Sequence, residues 1–194
     1  QVYLGLLRRR AFLVPASLAA LSSAALLGYV GSSSLIFIDQ YGASPQAFAL
    51  IFMVMAGFFV LGGQINMRLV QRYSARRIVV VALAVEVASL TVLTVLAARG
   101  APLGLVLVVL AVPKVGLGAL LPNAVAETMR PFPGSAGSAS ALMGTAQMGG
   151  AALVAVALAR LGTPTMATTA AIMMGLMAIG LALSVTMLRP ADSR

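Results

Sequence analysis

The chain contains no cysteine and no histidine among its 194 residues. Without cysteine it can form no disulfide and has neither a thiolate nucleophile nor a cysteine metal site. Without histidine it lacks the usual proton shuttle and the commonest metal ligand, so its serines have no histidine to activate them. No glycine-rich phosphate loop with a lysine is present either. These absences predict a chain that is not an enzyme and needs no cofactor or metal ion.

Charged residues are scarce, because they make up 9% of the chain against 61% for hydrophobic residues. A soluble domain carries about 25% charged residues, since water must wet its surface. The mean hydropathy of +1.04 is consistent with this imbalance. The composition therefore excludes an ordinary soluble domain and predicts an all-α membrane protein in contact with lipid.

Acidic residues are the scarcest charged class, with 4 Asp+Glu against 13 Lys+Arg and a formal net charge of +9. A basic chain often binds nucleic acid. Here the arginines stand at the ends of apolar runs rather than on one polar face, which favours retention of cations on the cytoplasmic side of a membrane. We therefore expect no nucleic-acid partner.

Six apolar segments are long enough to cross a bilayer, which takes roughly 20 residues of helix. Each is bounded by charge, proline or glycine, and the connections are short, so successive helices should run antiparallel. The sequence predicts one six-helix transmembrane bundle over residues 1–194, without a soluble domain. The predicted spans are residues 12–38, 45–70, 78–98, 102–128, 136–161 and 164–188.

The arginines fall mainly on one side of the predicted bundle. The other side has only Arg99 and Arg160. Because cytoplasmic loops carry an excess of Lys and Arg, this asymmetry predicts that both termini lie in the cytoplasm. The arginines on the predicted cytoplasmic side are Arg8, Arg9, Arg10, Arg68, Arg72, Arg76, Arg77, Arg130, Arg189 and Arg194.

Two charges depart from this pattern, because Glu86 and Lys114 lie near the middle of the third and fourth spans. An isolated charge at the bilayer centre costs about 2.5–3.5 kcal/mol on insertion scales. Opposite charges at similar depth on consecutive helices could neutralise each other as a static ion pair. Alternatively, one or both could face a transport path and exchange protons or bind substrate. The sequence leaves both interpretations open.

Several uncharged polar residues also lie inside the spans. Such side chains either form hydrogen bonds between helices or line a wet cavity. We assign Tyr29, Ser33, Gln147 and the charged Lys114 to a substrate cavity, and Asn66 and Asn123 to structural hydrogen bonds. The prolines at 113 and 122 in the fourth span predict either a packing kink or a cavity wall. The glycines at 57, 62 and 63 in the second span predict close helix packing.

The predicted cytoplasmic loop between the second and third spans holds Arg68, Arg72, Arg76 and Arg77. Four arginines in one tight turn exceed what orientation requires. They could act as a gating loop by pairing with the C-terminal carbonyls of helices and with acidic groups such as Glu127. The alternative is attraction to anionic lipid.

Four segments, two of which overlap, resemble a known family. The loop 66–77 resembles the repeated cytoplasmic signature of the major facilitator superfamily, as it occurs in the second half of those proteins. The other segments are similar to the Bcr/CflA-type branch of drug:proton antiporters, and the resemblance covers nearly the whole chain. They read FIDQYGASPQAFALIF followed by GGQINMRLVQR, residues 37–52 and 62–72, and PNAVAETMRPFPGSAGSASALMGTAQMGG, residues 122–150.

The resemblance implies a twelve-helix transporter made of two six-helix bundles, each built from two three-helix units in an inverted repeat. This chain would be the C-terminal bundle, in keeping with its first residue, Gln1, which predicts a fragment or processed piece. In the family the first and fourth helices of the bundle line the cavity, which favours Tyr29 and Lys114. The third and sixth lie at the periphery, which favours a structural Glu86, and most coupling carboxylates lie in the other half.

The expected function is proton-driven efflux of small amphipathic or cationic compounds across a bacterial inner membrane. The expected partners are membrane lipid, the N-terminal half or a second copy, a small-molecule substrate and protons. Two alternatives remain: a major facilitator importer of a sugar or organic acid, and a structural or regulatory membrane protein that transports nothing.

Overall fold

Six long helices form the computed structural model, which describes residues 9–132, 134 and 136–187. No strand occurs within these residues, and each helix is long and apolar enough to cross a membrane. The predicted all-α class and the six predicted spans are therefore confirmed. The helices are α1 (Arg10–Ser34, continued by a π-helical turn over Leu35–Gln40), α2 (Pro45–Leu69), α3 (Ala75–Ala98), α4 (Leu103–Met129), α5 (Ala136–Arg160) and α6 (Met166–Met187).

α1 begins at Arg10 rather than at residue 12, and α4 at Leu103 rather than at residue 102. Two further helices also begin at positions other than those predicted. α3 begins at Ala75, ahead of the expected residue 78, because the Ser74 hydroxyl accepts a hydrogen bond from the Arg77 backbone N–H at 3.4 Å. α6 begins at Met166, after the expected residue 164, where the Thr165 hydroxyl accepts from the Thr168 N–H at 3.2 Å. Local caps thus set these ends. Arg8, Arg189, Arg194 and residue 188 of the sixth predicted span lie outside the described residues.

The close contacts between the helices form a symmetric set. In the described residues α1 packs closely against α4, α5 and α6, while α4 packs against α1, α2 and α3, and α3 also packs against α6. Exchanging α1 with α4, α2 with α5 and α3 with α6 leaves this set of close neighbours unchanged. α1 and α4 are the most buried helices, and α2 and α5 are the most exposed. Each helix of α1–α3 thus has a counterpart in α4–α6 with the corresponding close neighbours.

The helix α4 remains continuous through both of its internal prolines, Pro113 and Pro122. Its tightest crossing is with α2, where Gly62 and Gly118 meet. A Cβ on Gly62 would collide with the carbonyl group of Val115, and one on Gly118 with that of Phe59. Small residues allow such close approach of backbones in lipid. The packing role predicted for the glycines of the second span is thus confirmed at Gly62.

The two predicted groups of arginines lie at opposite ends of the bundle. Successive helices joined by short turns run in opposite directions, so α1 and α3 begin at the end where α2 and α4 finish. Arg99 and Arg160 lie at the opposite end. We call the first of these the arginine end. The described arginines there are Arg9, Arg10, Arg68, Arg72, Arg76, Arg77 and Arg130.

Candidate functional site

Lys114 occupies the centre of the bundle. It follows Pro113 in α4, and only 2% of its surface is exposed. Its ammonium nitrogen lies 3.3 Å from the centroid of the Tyr29 ring on α1. The face of an aromatic ring attracts a cation, and the attraction is worth about 2 kcal/mol or more when the pair is desolvated. Two of the predicted cavity residues are therefore in direct contact.

Glu86 reaches the same region from α3 and is fully buried. Its side chain packs against α4 at Gly116, because a Cβ built there would lie 2.8 Å from Glu86 Cγ and 2.9 Å from Oε1. Any larger residue at position 116 would have to displace the carboxylate. The glycine thus allows an acidic side chain between α3 and α4, close enough to Lys114 for the two charges to interact electrostatically.

These charged groups have no hydrogen-bond partner. Within the described residues, the buried side-chain polar atoms that lack one are Tyr29 Oη, both carboxylate oxygens of Glu86 and Lys114 Nζ. The one ion pair closer than 4.0 Å in the same part of the chain joins Glu127 to Arg130. Glu86 and Lys114 therefore form no direct ion pair. An unsatisfied buried polar group costs about 1–3 kcal/mol, and a charged one more, so the cluster is a costly feature.

A cavity of about 190 Å³ adjoins this cluster and is lined by Tyr29 and Lys114. Apart from the lysine its wall is apolar, and α2 contributes Phe52, Met55 and Phe59. These three residues are not among the predicted cavity residues. Their spacing of three and four positions places them on one face of a helix, which was the available signal. The cavity combines aromatic surface with one buried cation, as small-molecule sites do.

The other predicted cavity residues lie elsewhere. Ser33 is buried, but its hydroxyl donates to the Val30 carbonyl of its own helix at 2.7 Å. Gln147 is half-buried on α5. Neither residue lines the cavity beside Lys114. The structure thus brings Tyr29, Lys114 and Glu86 together and leaves Ser33 and Gln147 apart from them.

The two asparagines form the structural contact expected of them. Asn123 Nδ2 donates to Asn66 Oδ1 at 2.6 Å and to the Ala119 carbonyl at 2.8 Å, and both asparagines are buried. The first bond joins α4 to α2 near the Gly62 crossing. The structural prediction for Asn66 and Asn123 is confirmed.

The arginine loop is exposed. Arg68, Arg72, Arg76 and Arg77 all face outward, and the Arg77 guanidinium lies 5.2 Å from the Tyr73 ring centroid. Within the described residues, none of the loop arginines lies within 4.0 Å of a carboxylate, and Glu127 contacts Arg130 at 3.5 Å, three residues along α4. The link to Glu127 is not formed in this structure, and both interpretations of the loop, gating and attraction to anionic lipid, stay predictions.

Known proteins offer no further identification. No family model matches the chain, and no curated protein matches it. Within the described residues, no group of three or more His, Cys, Asp or Glu side chains is placed to hold a metal ion.

Proposed function

We propose that the chain is the C-terminal half of a major facilitator superfamily exporter of the Bcr/CflA type, which expels small compounds in exchange for protons. The helix packing supports this proposal. Exchange of the units α1–α3 and α4–α6 preserves the close neighbours of every helix. A unit of three helices ends on the side opposite its start, so a second copy that follows directly is inverted. Inverted repeats around a central site are typical of secondary transporters.

The observation that carries the proposal is the unpartnered cluster of Tyr29, Glu86 and Lys114. Ionisable residues inside a membrane are expensive, and they mark substrate and proton pathways. Here the charges lie at the interface of the two repeat units and beside an apolar cavity. A static structural pair would form a close ion pair, which Glu86 and Lys114 do not form.

In this mechanism Glu86 carries the proton and Lys114 senses it. An ionised Glu86 attracts the ammonium group, and a protonated one does not. Lys114 then rests on the Tyr29 ring, at the wall of the cavity that receives the substrate. Protonation and substrate binding thereby act on the same lysine, as exchange requires. No covalent chemistry takes place, and the bundle rocks against its partner bundle to give alternating access.

The same proposal includes a membrane location, an orientation and a partner. The arginine end faces the cytoplasm of a bacterial cell, and the protein crosses the inner membrane with both termini inside. The partner is an N-terminal six-helix half or a second copy of this chain. The exposed helices α2 and α5 flank the central pair α1 and α4, and they offer the surface for it.

A second candidate is an importer of an organic acid. The observation that favours it is the buried cation Lys114, because a carboxylate in the cavity would pair with it. The same central site would then serve transport in the opposite direction with a substrate of opposite charge.

Uptake by inverted membrane vesicles that contain this chain with its partner half tests both candidates. With an acid interior, we expect ethidium to accumulate as protons leave. Glu86→Gln should abolish this pH-driven uptake, whereas Glu127→Gln, which alters a partly exposed surface pair, should retain it. Movement of benzoate in place of ethidium would support the second candidate. Vesicles that move neither compound would contradict both.

A further inference from the structure

A groove opens between α2 and α3 at the arginine end of the bundle, with α4 as its floor. Its volume is about 490 Å³, and its lining is apolar over most of its length. Several lining side chains are exposed, so the groove faces outward. The exposed apolar residues that line it are Ile65, Val81, Val85 and Val112.

One end of the groove carries a charge. Tyr73 and Arg77 line it there, with the guanidinium 5.2 Å from the ring centroid. No carboxylate of the described residues lies within 4.0 Å of Arg77. Two more arginines add to the positive potential. Arg72 lies in the α2–α3 connection beside Tyr73, and Arg76 lies in the first turn of α3. An apolar channel therefore ends at a cation without a counter-ion.

The length of the groove corresponds to one leaflet of a bilayer. Its wall on α3 runs from Arg77 to Val85, a rise of roughly 12 Å at about 1.5 Å per residue. Half of the hydrocarbon core measures about 15 Å. When the apolar part lies among acyl chains, Arg77 stands at the level of the headgroups. Tyr73 has the amphipathic character that is typical of that level.

We propose that this groove binds an anionic phospholipid, with its phosphate on Arg77 and Tyr73 and one acyl chain along the wall from Val81 to Val85. A guanidinium can donate two parallel hydrogen bonds to one phosphate. General attraction to a positively charged surface does not provide this geometry. The net negative charge of the lipid also complements the surrounding arginines. The site is separate from the cavity beside Lys114, so it does not depend on the transport proposal.

The absence of tryptophan from the chain permits a direct test. Val85→Trp places a single fluorophore at the deep end of the groove. The purified protein is reconstituted in phosphatidylcholine vesicles that contain a fixed share of phosphatidylglycerol, and either lipid is brominated on its acyl chains. Quenching by brominated phosphatidylglycerol should correspond to an affinity about fivefold higher than that of phosphatidylcholine. Equal quenching by the two lipids would overturn the proposal.

Three further variants in the Val85→Trp background separate a built site from general attraction. Arg77→Gln should abolish the preference for phosphatidylglycerol. Arg68→Gln should retain it, because Arg68 is exposed at the same end but lines a different hollow. Ala82→Phe, which fills the groove and leaves every charge in place, should lower quenching by brominated phosphatidylglycerol. Equal losses with Arg77→Gln and Arg68→Gln would show diffuse attraction only and overturn the proposal.

Discussion

Lys114 Nζ lies 3.3 Å above the centre of the Tyr29 ring, and this contact joins α1 to α4. These are the two helices that exchange with each other when the three-helix units are interchanged. The contact therefore links the units at the middle of the bundle. A change in the charge around Lys114 acts on both units at once, which is why we place the proposed proton and substrate responses there.

The Tyr29 ring, rather than its hydroxyl, should stabilise the bundle. Its Oη has no hydrogen-bond partner within the described residues, so Tyr29→Phe removes an unsatisfied group and keeps the ring face. We expect Tyr29→Phe to match or exceed the parent in thermal stability in detergent. Tyr29→Leu should lower the free energy of unfolding by about 2 kcal/mol through loss of the cation–π contact. Equal losses in both variants would assign the role to the hydroxyl.

Glu86 and Lys114 should show energetic coupling even though they do not touch. Removing either one leaves the other buried without an opposite charge, which lowers stability by several kcal/mol when a pair is buried. We expect Glu86→Gln and Lys114→Ala each to be destabilising, and the double variant to recover about 1–3 kcal/mol relative to the sum. The measurement is a double-mutant cycle on thermal unfolding. Additive losses would mean that the two charges are independent.

The contact between Glu86 and Gly116 gives a prediction about a single methyl group. In Gly116→Ala the added Cβ would lie 2.8 Å from Glu86 Cγ, and the resulting shift should cost about 1–3 kcal/mol. In a Glu86→Ala background the obstacle is gone, and the cost should largely disappear. Gly104→Ala on the same helix is the control, because nothing lies within 4 Å of its added Cβ.

Helix propensity predicts the direction of that control. Alanine favours a helix over glycine by about 1 kcal/mol, so Gly104→Ala should be neutral or stabilising. The comparison is made by unfolding in detergent. Equal destabilisation at positions 104 and 116 would remove the support for a close Glu86 contact.

The six spans could be predicted from sequence because lipid requires long apolar helices whose charges stand at the ends. Glu86 and Lys114 stood out for the same reason. Their relation to Tyr29 could not be predicted, since it depends on how α1, α3 and α4 rotate about their axes. The position of a residue along a helix can be read from the sequence. The direction in which the residue points around the axis cannot, when the helix is apolar on all sides.

The same limit explains which site residues were missed or misplaced. Phe52, Met55 and Phe59 are ordinary residues for a membrane helix, and only the packing of α2 against α4 directs them to the cavity. The polarity of Ser33 predicts a place in the cavity wall, yet a backbone carbonyl of its own helix satisfies its hydroxyl. Local hydrogen bonds of this kind are common for serine and threonine in helices.

The proposed membrane orientation, with the arginine end in the cytoplasm, can be measured with single cysteines. The chain has no cysteine, so each introduced thiol is the sole target of a membrane-impermeant maleimide. Gln71→Cys lies in the α2–α3 turn at the arginine end, and Thr163→Cys in the α5–α6 turn at the other, and both positions are exposed. The parent chain, which should not react, is the control.

The two thiols should react on opposite sides of the membrane. Because cytoplasmic loops retain arginines, Thr163→Cys should be labelled in intact cells, and Gln71→Cys only after the cells are permeabilised. The reverse result would invert the proposed orientation and place the arginine end outside. Labelling of both positions in intact cells would contradict the six-span topology, since five connections must alternate between the two sides. The proposed inverted relation of the three-helix units would then be lost, because it requires α1 and α4 to begin on opposite sides.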